Sequence, residues 1–86
     1  MKREEEIRKE ILFQLYAVRP LALTPDRISR DATKQRYDYT ASDIRREAEF
    51  LADENLIVRV NEPGTTAVMY RIHAAGVRHY EQNLAA

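Results

Sequence analysis

Eighty-six residues with 14 Lys plus Arg, 14 Asp plus Glu and no Cys make one small domain, residues 1–86, that carries no net charge. A chain of this size buries only about 60% of the surface it exposes when unfolded, which excludes a second core; the missing thiols exclude a disulfide framework and a thiolate zinc site. The charges also cancel within segments: five basic and four acidic residues over 1–23, seven and eight over 24–60, two and two over 61–86. The bulk basicity of many nucleic-acid binders is absent, so any positive surface must come from how charges are arranged on faces.

The first segment, MKREEEIRKEILFQLY, carries four glutamates and has neither an uncharged apolar core nor a small-residue cleavage site, so a signal peptide is not expected. No apolar run approaches the ~18 residues of a membrane span. A soluble, cytoplasmic protein is expected. Ile7, Ile11, Leu15 and Val18 recur at helical spacing and predict a first helix over about 2–17, ending ahead of Pro20, whose ring disfavours a helical residue before it. Leu12, Phe13 and Tyr16 widen its apolar arc beyond one stripe. Such a helix is either central in the fold or part of a contact between two copies of the chain, and a homodimer through this helix, with help from the C-terminal EQNLAA, is the assembly expected.

Two helix starts follow. In LTPDRI, Thr24 suits the N-cap, Pro25 the first helical position and Asp26 the positive end of the dipole, while Leu23 can staple onto Ile28. In YTASDI, Thr40 is the N-cap, Asp43 stands where an acid can reach back as in a capping box, and Tyr39 can staple onto Ile44. KQRYDY connects the two helices. At about 100 degrees per residue, Ala41, Ile44, Ala48, Leu51 and Ala52 of the third helix cluster on one side. Ser42, Arg46, Glu49 and Asp53 lie opposite, with Arg45 and Phe50 on the flanks.

Asn55 suits a left-handed C-terminal position. LIVRV then reads as a strand, NEPGTT as a turn that carries Glu62 and no basic residue, and AVMYRI as the returning strand of a hairpin. HAAGVRHYEQN places Val77 and Tyr80 at helical spacing for a short closing helix, with His73 near its cap. Ile44, Ala48, Leu51, Leu56 and Val58 are expected in the core against Ile11 and Leu15. The class is α+β.

The order helix, short extended piece, helix, helix, strand, turn, strand, helix resembles the winged helix-turn-helix superfamily over nearly the whole chain. DIRREAEFLADENLIVRV is similar to that family's recognition helix leading into the first wing strand, and YRIHAAGVRHYEQ to its last wing strand and terminal helix. The long connection before Thr40 also looks like small winged-helix proteins of bacteria and their prophages. The resemblance implies a transcriptional or phage-regulatory module whose helix over 41–54 enters a major groove of double-stranded DNA. It implies Ser42, Arg45 and Arg46 as base or phosphate contacts, and Arg27, Arg30, Lys34 and Arg36 as backbone contacts.

Other readings stand beside this one. Arg45 can pair with Glu49 four residues on, and Phe50, Tyr37 and Tyr39 read first as cover for the core. A winged helix serving as a protein-interaction or assembly adaptor suits the neutral charge and the acidic residues Glu49 and Asp53 on the reading face. His73 and His79 have no third ligand, so no metal or cofactor is expected. Catalysis is not expected either: there is no phosphate-cradling loop and no thiol nucleophile, the carboxylates fall on faces predicted to be exposed, and a cavity of ~300 Å³ is hard to build in so small a core.

Overall fold

The computed structural model describes residues 2–61 and 63–84, so Glu62, expected at the hairpin turn, lies outside the described residues. The described elements are α1 (Arg3–Val18), α2 (Pro25–Lys34), α3 (Ala41–Asp53), β1 (Ile57–Asn61), β2 (Val68–Ile72) and α4 (Ala74–Asn83). This is an α+β arrangement of four helices with a two-stranded antiparallel hairpin between the third and fourth.

α1 is the central element. Glu4, Glu5 and Glu6 occupy its first turn, where carboxylates meet the positive end of the helix dipole. Ile7, Ile11, Leu12 and Leu15 are buried and pack toward α2, α3, α4 and β2. The outer part of its apolar arc is only partly covered within the chain: Tyr16 stacks on Tyr80 of α4 with 4.5 Å between ring centroids, and Phe13, 6.5 Å from the same ring, stays exposed.

The two later helices begin where their caps predict. Thr24 Oγ1 accepts from the Arg27 amide at 3.1 Å. Thr40 Oγ1 accepts from the Asp43 amide at 3.0 Å, and the Asp43 carboxylate accepts from the Thr40 amide at 3.2 Å, which closes the capping box. α3 is stopped by Asn55, left-handed at φ 63°, after which the Leu56 amide turns back to the Leu51 carbonyl at 3.0 Å.

In the hairpin Ile57 pairs with Ile72, Arg59 with Tyr70 and Val60 with Met69. Directly paired residues share a face, so Ile57, Arg59, Tyr70 and Ile72 look inward toward α3 and the core while Val58, Val60, Met69 and Arg71 look outward. This corrects the expected core. Ile57 is the buried strand residue, Val58 is half-buried on the outer face, and Leu56 is a half-buried residue packed against the core. The far edge of β2 is also occupied, because Leu23 bridges to Tyr70 through two backbone hydrogen bonds of 2.8 and 2.9 Å. α4 then starts from His73, whose amide donates to the Leu56 carbonyl at 3.0 Å. Gly76 lets the α4 backbone lie directly against that same carbonyl, where a side chain would collide.

Candidate nucleic-acid interface

α3 presents three different sides. Toward the core lie Ile44, Ala48, Leu51 and Ala52. Toward α1 lie Asp43 and Glu47, which meet Arg3 and Arg8. Toward the hairpin lie Arg45 and Glu49. The Glu49 carboxylate accepts from the Tyr70 hydroxyl and, at 2.7 Å, from Arg59 Nε, while Arg59 also reaches Asp53 at 2.9 Å. The Tyr70 bond first, then Arg59 against the opposing effect of burial, hold Glu49 below the usual carboxylate range. Two expectations are corrected here. Glu49 is bound to the hairpin instead of standing free on a reading face, and it does not pair with Arg45.

Arg45 is thereby left open. It is exposed and has no carboxylate within ion-pair distance among the described residues. It lines a cleft of about 360 Å³ with Thr24, Pro25 and Asp26 at the start of α2, Ala41 and Ser42 at the start of α3, and Thr66 to Val68 at the start of β2. Two helix N-termini therefore open on one concavity beside an unpaired guanidinium. Each brings the partial positive charge of its dipole; Asp26 is the one acid on the lining.

The remaining residues suggested for DNA contact divide by their partners. Arg46 is tied to Glu47 at 2.8 Å and Asp43 at 3.3 Å. Arg27 and Lys34 both pair with Asp31, at 3.2 and 3.5 Å. Arg30 and Arg36 are exposed with no ion pair among the described residues, and Ser42 is exposed on the cleft. Arg36 is held in a left-handed turn at φ 68°. The chain thus brings Ser42 and Arg45 together and gives three of the other five a carboxylate partner, Arg27 and Lys34 sharing Asp31.

Two buried carboxylates escape the sequence reading, which expected acids only on exposed faces. Glu47 is 3% exposed and bridges Arg8 and Arg46, each at 2.8 Å. Burial pushes its carboxyl up, but the hydrogen bonds from Arg46 and Arg8 outweigh burial and hold it below the usual range. Its signal was present: it follows Ile44 by three positions and precedes Leu51 by four, on the edge of the apolar arc. Glu10 is 6% exposed, and burial first, with Asp31 adding to it, pushes its carboxyl up against the hydrogen bonds from Gln14 and Gln35. Open clefts of about 360 to 520 Å³ lie between the elements at the surface, outside the core to which the size expectation applied.

Among the described residues no three His, Asp or Glu side chains gather as a metal site, and no helix is long and apolar enough to cross a membrane. Comparisons of the chain with protein-family models, with curated proteins and with solved structures find no significant match.

Proposed function

We propose that the chain is a winged helix-turn-helix module that binds double-stranded DNA as a regulatory protein, with α3 as its recognition helix and the β1–β2 hairpin as its wing. The element order supports this reading, and so does the bridge from Leu23 to Tyr70, which puts the extended piece before α2 on the edge of the hairpin. The observation that carries it is the cleft where the starts of α2 and α3 converge on the unpaired Arg45. A phosphate there accepts from Ser42 and Arg45 while it meets two helix dipoles. Arg30 and Arg36 extend the contact along the backbone. Arg46, Arg27 and Lys34 contribute less, since each already has a carboxylate partner.

The test is binding of labelled mixed-sequence duplex DNA over a salt series. The reading expects affinity that falls steeply as salt rises, because each neutralised phosphate releases counterions. A second reading, a winged helix used as a protein-interaction adaptor, is favoured by one observation. Phe50 is 41% exposed beside a groove of about 520 Å³ between α1, α3 and α4. DNA binding that is absent or insensitive to salt would favour this second reading over the first.

A further inference from the structure

A second cleft shares no residue with the one at the helix starts, and its walls are of another kind. It holds about 390 Å³ and is lined by Glu6, Glu10 and Phe13 of one α1 stripe, by Tyr37 and Tyr39 of the connection between α2 and α3, and by Tyr80 of α4. Phe13 and Tyr37 remain 43% and 42% exposed although both belong to this lining. Tyr37 lies parallel on Tyr39 at 5.1 Å, so one of its faces is held by the chain.

The inner carboxylate is Glu10, 6% exposed. It has two amide donors, Gln14 Nε2 at 2.7 Å and Gln35 Nε2 at 3.1 Å, and both reach the same oxygen, Oε2. Oε1 accepts no hydrogen bond among the described residues, and Glu10 forms no ion pair there. Burying a carboxylate without a cation is unfavourable, and burial accordingly pushes the Glu10 carboxyl up. The lining has one cation of its own, Lys9, against the two acids Glu6 and Glu10. Arg3 stands 5.3 Å from the Tyr39 ring centroid but is paired with Asp43 and makes no ion pair with Glu6 or Glu10 among the described residues, so the inner carboxylate has no cation on it, and the cleft has aromatic walls whose faces attract cations. This chain already uses its rings that way: Arg8 lies 3.7 Å from the Phe50 ring centroid and Arg19 3.9 Å from that of Tyr16.

We propose that this cleft binds an alkylammonium head that keeps at least one N–H, which donates to Glu10 Oε1 while its methylenes lie against Phe13, Tyr37 and Tyr80. A guanidinium fits less well, since its fork calls for two open acceptor oxygens and Oε2 already takes two amide protons. A quaternary ammonium has no proton to donate. A hard divalent ion calls for six or more oxygen ligands, which aromatic walls do not supply. The ammonium can come from a free amine or from a lysine side chain of a partner, and the chemistry at Glu10 is the same for both.

The experiment is a titration of the isotope-labelled full chain with n-butylammonium chloride at constant ionic strength and neutral pH, followed by NMR. Saturating shifts are expected at the Gln35 side-chain amide and the Phe13 and Tyr37 rings. n-Butanol, which lacks the charge, and tetramethylammonium, which lacks the N–H, should bind about tenfold more weakly, the size of one charge-assisted hydrogen bond. Glu10→Gln keeps an oxygen for Gln14 and Gln35 and should lose about the same factor. Tyr37→Ala, at an exposed ring, should lose severalfold while remaining folded by circular dichroism. An amide-capped lysine binding as tightly as n-butylammonium identifies a lysine side chain as the natural form, and binding of n-butylammonium alone identifies a free amine. Equal binding of n-butanol, undiminished binding by Glu10→Gln, or no saturable shift with either amine would overturn the proposal. None of these outcomes depends on whether the chain binds DNA.

Discussion

The Tyr70 hydroxyl of β2 donates to the Glu49 carboxylate of α3, and this bond ties the hairpin to the helix. Tyr70 is fully buried, and burial together with Glu49 pushes its hydroxyl well above the ordinary tyrosine range, so it stays a donor at every physiological pH. Removing the hydroxyl in Tyr70→Phe is expected to lower unfolding stability by about 1–2 kcal/mol in urea titrations, the range for a part-exposed hydrogen bond to a charged acceptor. The same relationship sets a pH dependence. Glu49 is held below its unfolded value, so its contribution is present above that value and is lost as the pH falls through the folded one. Tyr70→Phe should therefore flatten the acid side of the stability profile.

Gly76 is where α4 and the start of β1 touch backbone to backbone. A Cβ there would collide with the Leu56 carbonyl oxygen and come within 2.8 Å of the Ile72 side chain, and neither can retreat without moving the hairpin. Gly76→Ala is expected to cost about 3 kcal/mol or more, despite alanine's better helix propensity. A melting temperature equal to that of the unsubstituted protein would show that α4 does not sit on Leu56.

Thr40→Ala removes one half of the capping box and should cost about 1 kcal/mol. Because Asp43 accepts from the Thr40 amide, and that bond first holds its carboxyl below the usual range, Asp43→Asn should also destabilise. The double variant should lose less than the sum of the two, measured by chemical denaturation.

These caps were legible from the sequence because each involves only a side chain and backbone three residues away. The broad apolar arc of α1 was legible too, but not how its outer edge is used: α4, 65 residues on in the Tyr16–Glu81 hydrogen bond, stacks Tyr80 on Tyr16, while Phe13, the other residue that suggested a subunit contact, stays 43% exposed. Ile57 and not Val58 enters the core because pairing with Ile72 sets the strand's facing, and periodicity alone does not choose between adjacent positions. Glu10 and Glu47 were missed for a related reason. Each sits at the edge of an apolar arc with one local partner, Gln14 and Arg46, but the partners that close over them, Gln35 and Arg8, stand 25 and 39 residues away. At the cleft, Arg45 was legible as a cation on a flank, but its freedom follows from Glu49 being taken by Tyr70 and Arg59.

Glu10 gives a second pH effect, of opposite sign to that of Glu49. Its carboxyl is raised in the folded state by burial, with Asp31 facing it and the amides of Gln14 and Gln35 opposing, so its contribution is present below the unfolded value and lost as the pH rises through the folded one. Glu10→Gln should raise the melting temperature at neutral pH and change it much less near pH ~4, where a free glutamate is already largely protonated. A lower melting temperature at neutral pH would mean that the carboxylate has a stabilising partner and is not held there at a cost.

The most direct test of the proposed function is the salt dependence of duplex binding for the unsubstituted chain, Arg45→Ala and Arg78→Ala, the last an exposed α4 position outside the cleft. If Arg45 holds a phosphate at the convergence of α2 and α3, its loss should weaken binding to all duplexes and reduce the slope of log affinity against log salt by about 1, with Arg78→Ala unchanged. Equal affinities and equal slopes for all three proteins, or no salt-sensitive binding by the unsubstituted chain, would contradict the assignment of the cleft to DNA.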